Sequence, residues 1–204
     1  MTLLYRAVLA AVAALMLGGA AWADPPPASD LIVAQHADAL RQSSAAIGNP
    51  RGDVTIVEFF DYTCPYCKAV EPRLEKLLKA DKGVRLVLKE FPILTPQSLV
   101  AARVALVAAH RGKYAPFHQA LMNYEGPLDE GVIFDTARRV GLDGPKLRQA
   151  MQAPEISDEI IANFNLARSL RLFQTPSFIV GNHILTGLSA EIDFAREVAK
   201  ARRK

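Results

Sequence analysis

Val54-Thr55-Ile56-Val57-Glu58-Phe59-Phe60-Asp61-Tyr62-Thr63-Cys64-Pro65-Tyr66-Cys67-Lys68 is the stretch on which the reading of this chain turns. Its first seven residues are β-branched or aromatic apart from Glu58, and they have the length of a strand. From Lys68 to Lys79 apolar and charged residues alternate at helical spacing until Asp81-Lys82-Gly83 ends the run. A strand that passes straight into a helix puts Cys64 at the helix N-terminus. Unpaired N–H groups and the helix dipole stabilise an anion there. Pro65 suits the first helical turn, where no N–H partner is needed. The thiolate is the reactive form of cysteine, so this position favours a nucleophile.

The chain has two cysteines, Cys64 and Cys67, and four scattered histidines, His36, His110, His118 and His183. Tetrahedral zinc would need a second ligand pair, so no metal spacing is present. A disulfide closing a two-residue loop staples nothing distant. An isolated C-x-x-C is therefore read as redox chemistry, with Cys64 as nucleophile and Cys67 placed to resolve a mixed disulfide.

Working outward, Val84–Phe91 is a second strand, and strand, helix and strand over this length form a βαβ unit. Residues from about 97 to 172 read as helical, with segments at Ser98–His110, Ala115–Asn123, Asp129–Val140, Lys146–Met151 and Ser157–Leu170. Phe117, Phe134 and Phe173 are expected in the core on helical spacing. Strand character returns at Ser177–Val180, Gly181-Asn182 signals a turn, and His183–Thr186 can pair back. Ser189 is expected to cap a last helix carrying Ile192, Phe194 and Val198. The fold class is α/β, with a helical insertion between the βαβ unit and a C-terminal ββα unit.

Before this domain, at 51–204, the sequence divides in two. Arg6, the apolar run Ala7–Leu17 and Ala21-Trp22-Ala23 describe a secretory signal over residues 1–23, too short for a comfortable membrane span. Residues 24–50 open on Asp24-Pro25-Pro26-Pro27, are weakly helical from Ser29 to Ser43, and are read as an arm that docks on the domain or on another copy. Charge is nearly balanced, with 24 basic and 21 acidic residues, so nothing points to nucleic acid. The basic end Lys200–Lys204 is read as a solvated helix terminus.

Cys64-Pro65-Tyr66-Cys67-Lys68, with Pro72 beyond it, resembles the active-site helix of the thioredoxin superfamily. The stretch Glu58–Cys67 and the helical block between the second and third core strands resemble the DsbA family more closely. The resemblance implies a thioredoxin-like fold and thiol–disulfide exchange, with no cofactor beyond the redox-active Cys64–Cys67 pair. It implies a cis bond between Thr175 and Pro176 facing the active cysteine, with Thr175 holding an approaching polypeptide by backbone pairing. It places Pro65 and Tyr66 against substrate and makes Glu58 a buried acid. Glu58 is odd in an apolar strand and Lys89 is odd in its neighbour. The two are expected to pair beneath the site and to handle the proton on Cys67, unless both are strand-end charges reaching water. Asp61 either tunes the site or serves the turn. Tyr66 stands where the best-known DsbA-like oxidases carry histidine, so their strong thiolate stabilisation is not implied.

Three functions follow from these residues. The first is a periplasmic dithiol oxidase that passes its disulfide to exported proteins and is recharged by a quinone-linked membrane partner. The second is an isomerase or reductase kept reduced by a thiol donor. The third is a Cu(I)-binding module. The short arm favours a monomer, with oligomerisation through the arm as the other possibility.

Overall fold

The computed structural model describes residues 28–142, 144–186 and 192–203. The expected leader and the Ser189 cap lie outside them. Helices α1 (Ala28–Gln35) and α2 (Ala37–Arg41) precede a short strand β1 (Ala46–Gly48). The βαβ unit follows as β2 (Val54–Phe60), α3 (Pro65–Ala80) and β3 (Val84–Glu90). The insertion holds α4 (Pro96–His110), α5 (Tyr114–Met122), α6 (Glu130–Arg139), α7 (Gly144–Ala150) and α8 (Pro154–Ser169). The hairpin β4 (Ser177–Val180) and β5 (His183–Thr186) leads to α9 (Phe194–Ala201). Asp193 caps α9, its side chain accepting from the Arg196 N–H, so Ile192 precedes the helix. Among the described residues, no helix is long and apolar enough to cross a membrane.

The five strands lie in the order β1-β3-β2-β4-β5. Strand β2 runs parallel to β3, and the other pairings are antiparallel. Side chains alternate between the faces, as the strand period requires. Val54, Ile56 and Phe60 of β2 join one core with Val70 and Leu74 of α3, Phe117 and Leu121 of α5, and Val198 of α9. Val57 and Phe59 join a second core with Val33 and Leu40 of the arm, Leu166 of α8 and Leu170 at its C-cap.

The arm docks on its own domain, and it supplies a strand the sequence did not announce. Ala46, Ile47 and Gly48 pair with Val87, Leu86 and Arg85. Gly48 has φ +87°, and a Cβ there would meet the Val84 carbonyl at 2.8 Å, so glycine lets the two backbones approach. The Ser44 hydroxyl donates to Glu159 of α8 at 2.8 Å, which ties the arm to the insertion.

The register separates the two charges expected to pair. Glu58 lies opposite Leu88, whereas Lys89 lies opposite Phe59. The side chains therefore leave opposite faces of the sheet. Lys89 Nζ donates to the Ala39 carbonyl at 2.9 Å and to the Gln42 carbonyl, both in the arm. The Glu58–Lys89 pair does not form, and neither residue is a strand-end charge reaching water, since Glu58 is 0% and Lys89 3% exposed.

Phe117 is buried and Phe134 packs half-buried against the same core, as expected, but Phe173 departs from the core assignment. Phe134 is half-buried beneath the Arg148 guanidinium, 3.9 Å from the ring centroid. Phe173 is 75% exposed, because it lies in the connection after α8 and not on a helix face. At the C-terminus Arg202 is no free cation: it donates to Asp53 and Asp81 at 2.7 Å each. It thus joins the end of α9 to the start of β2 and the end of α3.

Candidate active site

Cys64 is the N-cap of α3, and Pro65 occupies its first turn. The Cys64 sulfur accepts from the Cys67 backbone N–H at 3.4 Å, and the Thr175 carbonyl lies at 3.4 Å from it. These contacts follow from local sequence: the strand ends, the cap residue stays extended, and the first helical N–H groups turn back on its side chain. The Thr175–Pro176 bond is cis, and it brings the β4 entrance to the sulfur. Both cysteines are free thiols.

The two thiols differ sharply. A hydrogen bond from the Cys67 thiol, with helix N–H groups and the Thr175 contact, brings the Cys64 thiol down to about 6 against the opposing pull of burial. Burial pushes the Cys67 thiol far up, and the bond to Cys64 and the Glu58 charge add to it. At neutral pH the pair therefore holds one thiolate and one thiol. Glu58 is fully buried, and neither carboxyl oxygen has a hydrogen-bond partner. Desolvation raises its affinity for a proton well above the ordinary carboxylate range, and repulsion from Glu71, Cys64 and Glu90 raises it further.

Asp61 serves the turn. One carboxylate oxygen accepts from the Thr63 N–H at 2.8 Å and from the Ser98 hydroxyl at 2.7 Å. The other accepts from the N–H groups of Ile93 and Leu94 at 2.9 and 3.1 Å. Asp61 thus fixes the start of α4 and the preceding loop beside the redox turn.

Sequence reasoning missed a buried polar cluster next to this turn. The Tyr62 hydroxyl lies 3.1 Å from His118 Nδ1 and donates to Glu90 at 3.4 Å. Tyr114 donates to the same Glu90 oxygen at 2.9 Å. Glu71, one turn after Cys67 on α3, places its carboxylate 3.5 Å from His118 Nε2. The available signal was an acid on the apolar face of α3, among Cys67, Val70 and Leu74.

The site also has an apolar rim. Six large hydrophobic side chains are exposed among the described residues: Leu31, Tyr66, Leu94, Leu99, Ile161 and Phe173. Tyr66 is the second residue of α3 and Phe173 precedes Thr175, while Leu94 and Leu99 flank the Asp61–Thr63–Ser98 hydrogen bonds. Pro65 and Tyr66 are exposed, whereas Pro176 is buried. Among the described residues, no group of three or more metal-ligating side chains comes together.

Comparison with known proteins gives the same architecture. A thioredoxin-like oxidoreductase from Silicibacter pomeroyi is 42% identical, with TM-score 0.76, over 82% of this chain and 98% of its own. The thiol-disulfide exchange protein alpha-DsbA2 of Wolbachia pipientis is 26% identical, with TM-score 0.77, over 86% of this chain and 95% of its own. A candidate protein-disulfide oxidoreductase of Rickettsia felis is 28% identical over 174 residues, 78% of this chain and 62% of that protein. The chain thus spans less than two thirds of the length of that curated relative. The family profile of the DSBA-like thioredoxin domain matches residues 55–199, and the chain belongs to that family.

Proposed function

We propose that this protein is an exported dithiol oxidase that passes the Cys64–Cys67 disulfide to thiols of other exported proteins. The observation that carries this reading is the asymmetry of the two thiols. A Cys64 thiol held at about 6 stabilises the reduced form, so the disulfide is a willing electron acceptor. In general terms the value falls between the roughly 7 of thioredoxin and the roughly 3.5 of the most oxidising relatives.

In the forward reaction a substrate thiolate attacks Cys64 Sγ and the Cys64–Cys67 bond breaks. Cys67 leaves and takes up a proton, which Glu58 supplies. A second substrate thiolate then attacks the substrate sulfur of the mixed disulfide, and Cys64 departs as its stabilised thiolate. Two electrons pass from substrate to enzyme, and the substrate gains one disulfide. In the reverse direction Glu58 takes the proton from Cys67 as that thiol attacks Cys64. Lys89 has no part in this step, because its ammonium is held on the opposite face of the sheet.

Thr175 and Pro176 lie where an extended polypeptide can pair beside Cys64, and the rim of Tyr66, Leu94, Leu99 and Phe173 suits apolar side chains of an incompletely folded substrate. The arm is engaged on its own domain through the pairing of β1 with β3, and this supports a monomer. A quinone-linked membrane protein would restore the disulfide.

Rapid trapping of free thiols in the exported compartment tests the proposal. A mostly oxidised Cys64–Cys67 pair at steady state is the expected result. A mostly reduced pair would overturn it in favour of an isomerase or reductase fed by a thiol donor.

A further inference from the structure

Pro92-Ile93-Leu94-Thr95-Pro96 leads from β3 into α4 and carries part of the apolar rim. Proline has no N–H, so this segment owns three backbone donors, those of Ile93, Leu94 and Thr95. All three end, directly or through Ser98, on Asp61. Ile93 and Leu94 donate to Asp61 Oδ2 at 2.9 and 3.1 Å. Thr95 donates to the Ser98 hydroxyl at 3.1 Å, and that hydroxyl donates in turn to Asp61 Oδ1 at 2.7 Å. The same Oδ1 accepts from the N–H and the hydroxyl of Thr63, the residue before Cys64, at 2.8 and 2.9 Å.

This demand is stricter than a turn alone imposes. Asparagine suits turns as well as aspartate does. Here both carboxylate oxygens accept from backbone N–H groups. Asparagine offers one oxygen, and its NH2 would face donors on the other side. Asp61 is 1% exposed, and no side-chain atom of this network is among the buried ones left without a partner. One side chain of the redox turn therefore writes the path of the loop.

What the loop presents is apolar. Leu94 is 49% and Leu99 39% exposed. Leu94 is anchored through its own N–H, and Leu99 follows Ser98, which is 1% exposed. Large apolar side chains held in water on a fixed backbone are ordered in advance for a partner that covers them.

We propose that Asp61 is a positioning residue that sets substrate preference: by gathering the loop N–H groups it holds Leu94 and Leu99 as a preformed apolar ledge beside the redox turn, which selects polypeptides with apolar residues next to their cysteines. This rests on the dithiol oxidase reading above, in which a substrate thiolate attacks Cys64.

The test uses the full chain with the Cys64–Cys67 pair oxidised and two reduced dithiol peptides. One carries leucine beside each cysteine, and the other carries serine there. Acid quenching and chromatography of the peptides give the rate of disulfide transfer to each. The wild-type protein is expected to oxidise the leucine peptide about ten-fold faster than the serine peptide. Asp61→Asn should bring the two rates close together. Ser98→Ala, which frees only the Thr95 N–H of the loop, should lower the ratio by about two-fold. A defect that merely loosens the redox turn slows both peptides alike and leaves the ratio where it was. Amide exchange at Ile93 and Leu94 should also quicken in Asp61→Asn. An unchanged ratio in Asp61→Asn overturns the inference, and so does protection of those two amides equal to wild type. If Asp61→Asn does not fold, Ser98→Ala and Leu94→Ser decide. Leu94 meets Asp61 through its backbone, so Leu94→Ser removes the ledge and leaves the network whole. A wild-type ratio in either variant overturns the inference. A wild-type protein that oxidises both peptides at one rate removes the inference alone, whereas one that oxidises neither removes the dithiol oxidase reading with it.

Discussion

The two faces of the central sheet treat a buried charge in opposite ways. On the face covered by α3 and α5, Glu58 is buried with no hydrogen-bond partner, and further acids, Glu71 and Glu90, lie close enough to raise its affinity for a proton. On the face covered by the arm and α8, Lys89 is buried with its ammonium on two arm carbonyls. Glu58 and Lys89 stand on adjacent parallel strands, one register step apart, and that step sends them to different sides. A satisfied buried cation fastens one segment to another. An unsatisfied buried acid costs stability, and it is tolerated where its proton is useful.

The largest expected effect breaks the reactive face. Glu58→Gln keeps the shape of the side chain and removes its ionisation, so attack of Cys67 on a Cys64 mixed disulfide should slow by about 100-fold at neutral pH. The same change should stabilise the fold at neutral pH. The folded pKa of Glu58 lies above its unfolded 4.5, so the stability it contributes is full below 4.5 and is lost as pH rises through the folded value. Stopped-flow release of a thionitrobenzoate probe carried on Cys64, with denaturant unfolding at several pH values, checks both signs. Slower chemistry together with higher stability marks a functional acid. Unchanged chemistry with higher stability would leave Glu58 as a burial defect and erase the contrast between the faces.

A smaller effect concerns the thiols that this face serves. The folded pKa of Cys64 is lowered from 9.0 to about 6, so its contribution is full above 9.0 and is lost as pH falls through about 6. The oxidised protein has no such term. The stability of the reduced protein relative to the oxidised one should therefore grow between pH 6 and 9, by denaturant unfolding of each form. A difference that does not change over this range would show that neither the Cys67 thiol nor the helix N-cap stabilises the Cys64 thiolate.

What the sequence makes legible is local. Strand β2, Pro65 at the helix start and Cys64 at its cap are encoded by neighbours in the chain, and all three are where the sequence puts them. What it hides depends on register or tertiary approach. The parity that separates Glu58 from Lys89 is set by the offset between β2 and β3, which no single strand contains. Strand β1 is three residues long, and only pairing with β3 makes it a strand. Glu71 and His118 lie 47 positions apart, on helices that meet only after the insertion folds over α3. Each nonetheless interrupts an apolar helix face, Glu71 beside Val70 and Leu74, His118 beside Phe117 and Leu121. Polar residues on such stripes, read together, would have pointed to a buried network.

The smallest expected effect on chemistry comes from the other face. Desolvation brings the Lys89 ammonium down from 10.5 to about 8. The unfolded chain holds more protons than the folded one between these values, so Lys89 makes stability rise with pH through this window, by roughly 3 kcal/mol in all. Lys89→Met should abolish that rise. It should also release the Ala39 and Gln42 carbonyls, so amide exchange quickens over residues 38–48, where the arm meets β3. The rate of Cys67 attack should stay within about two-fold of wild type, because the sheet stands between Lys89 and the thiols. Unfolding against pH, amide exchange and probe release can be read on one preparation. A large loss of exchange rate in Lys89→Met would mean that the arm face couples to the thiols through β3, and the division of labour between the two faces would fail.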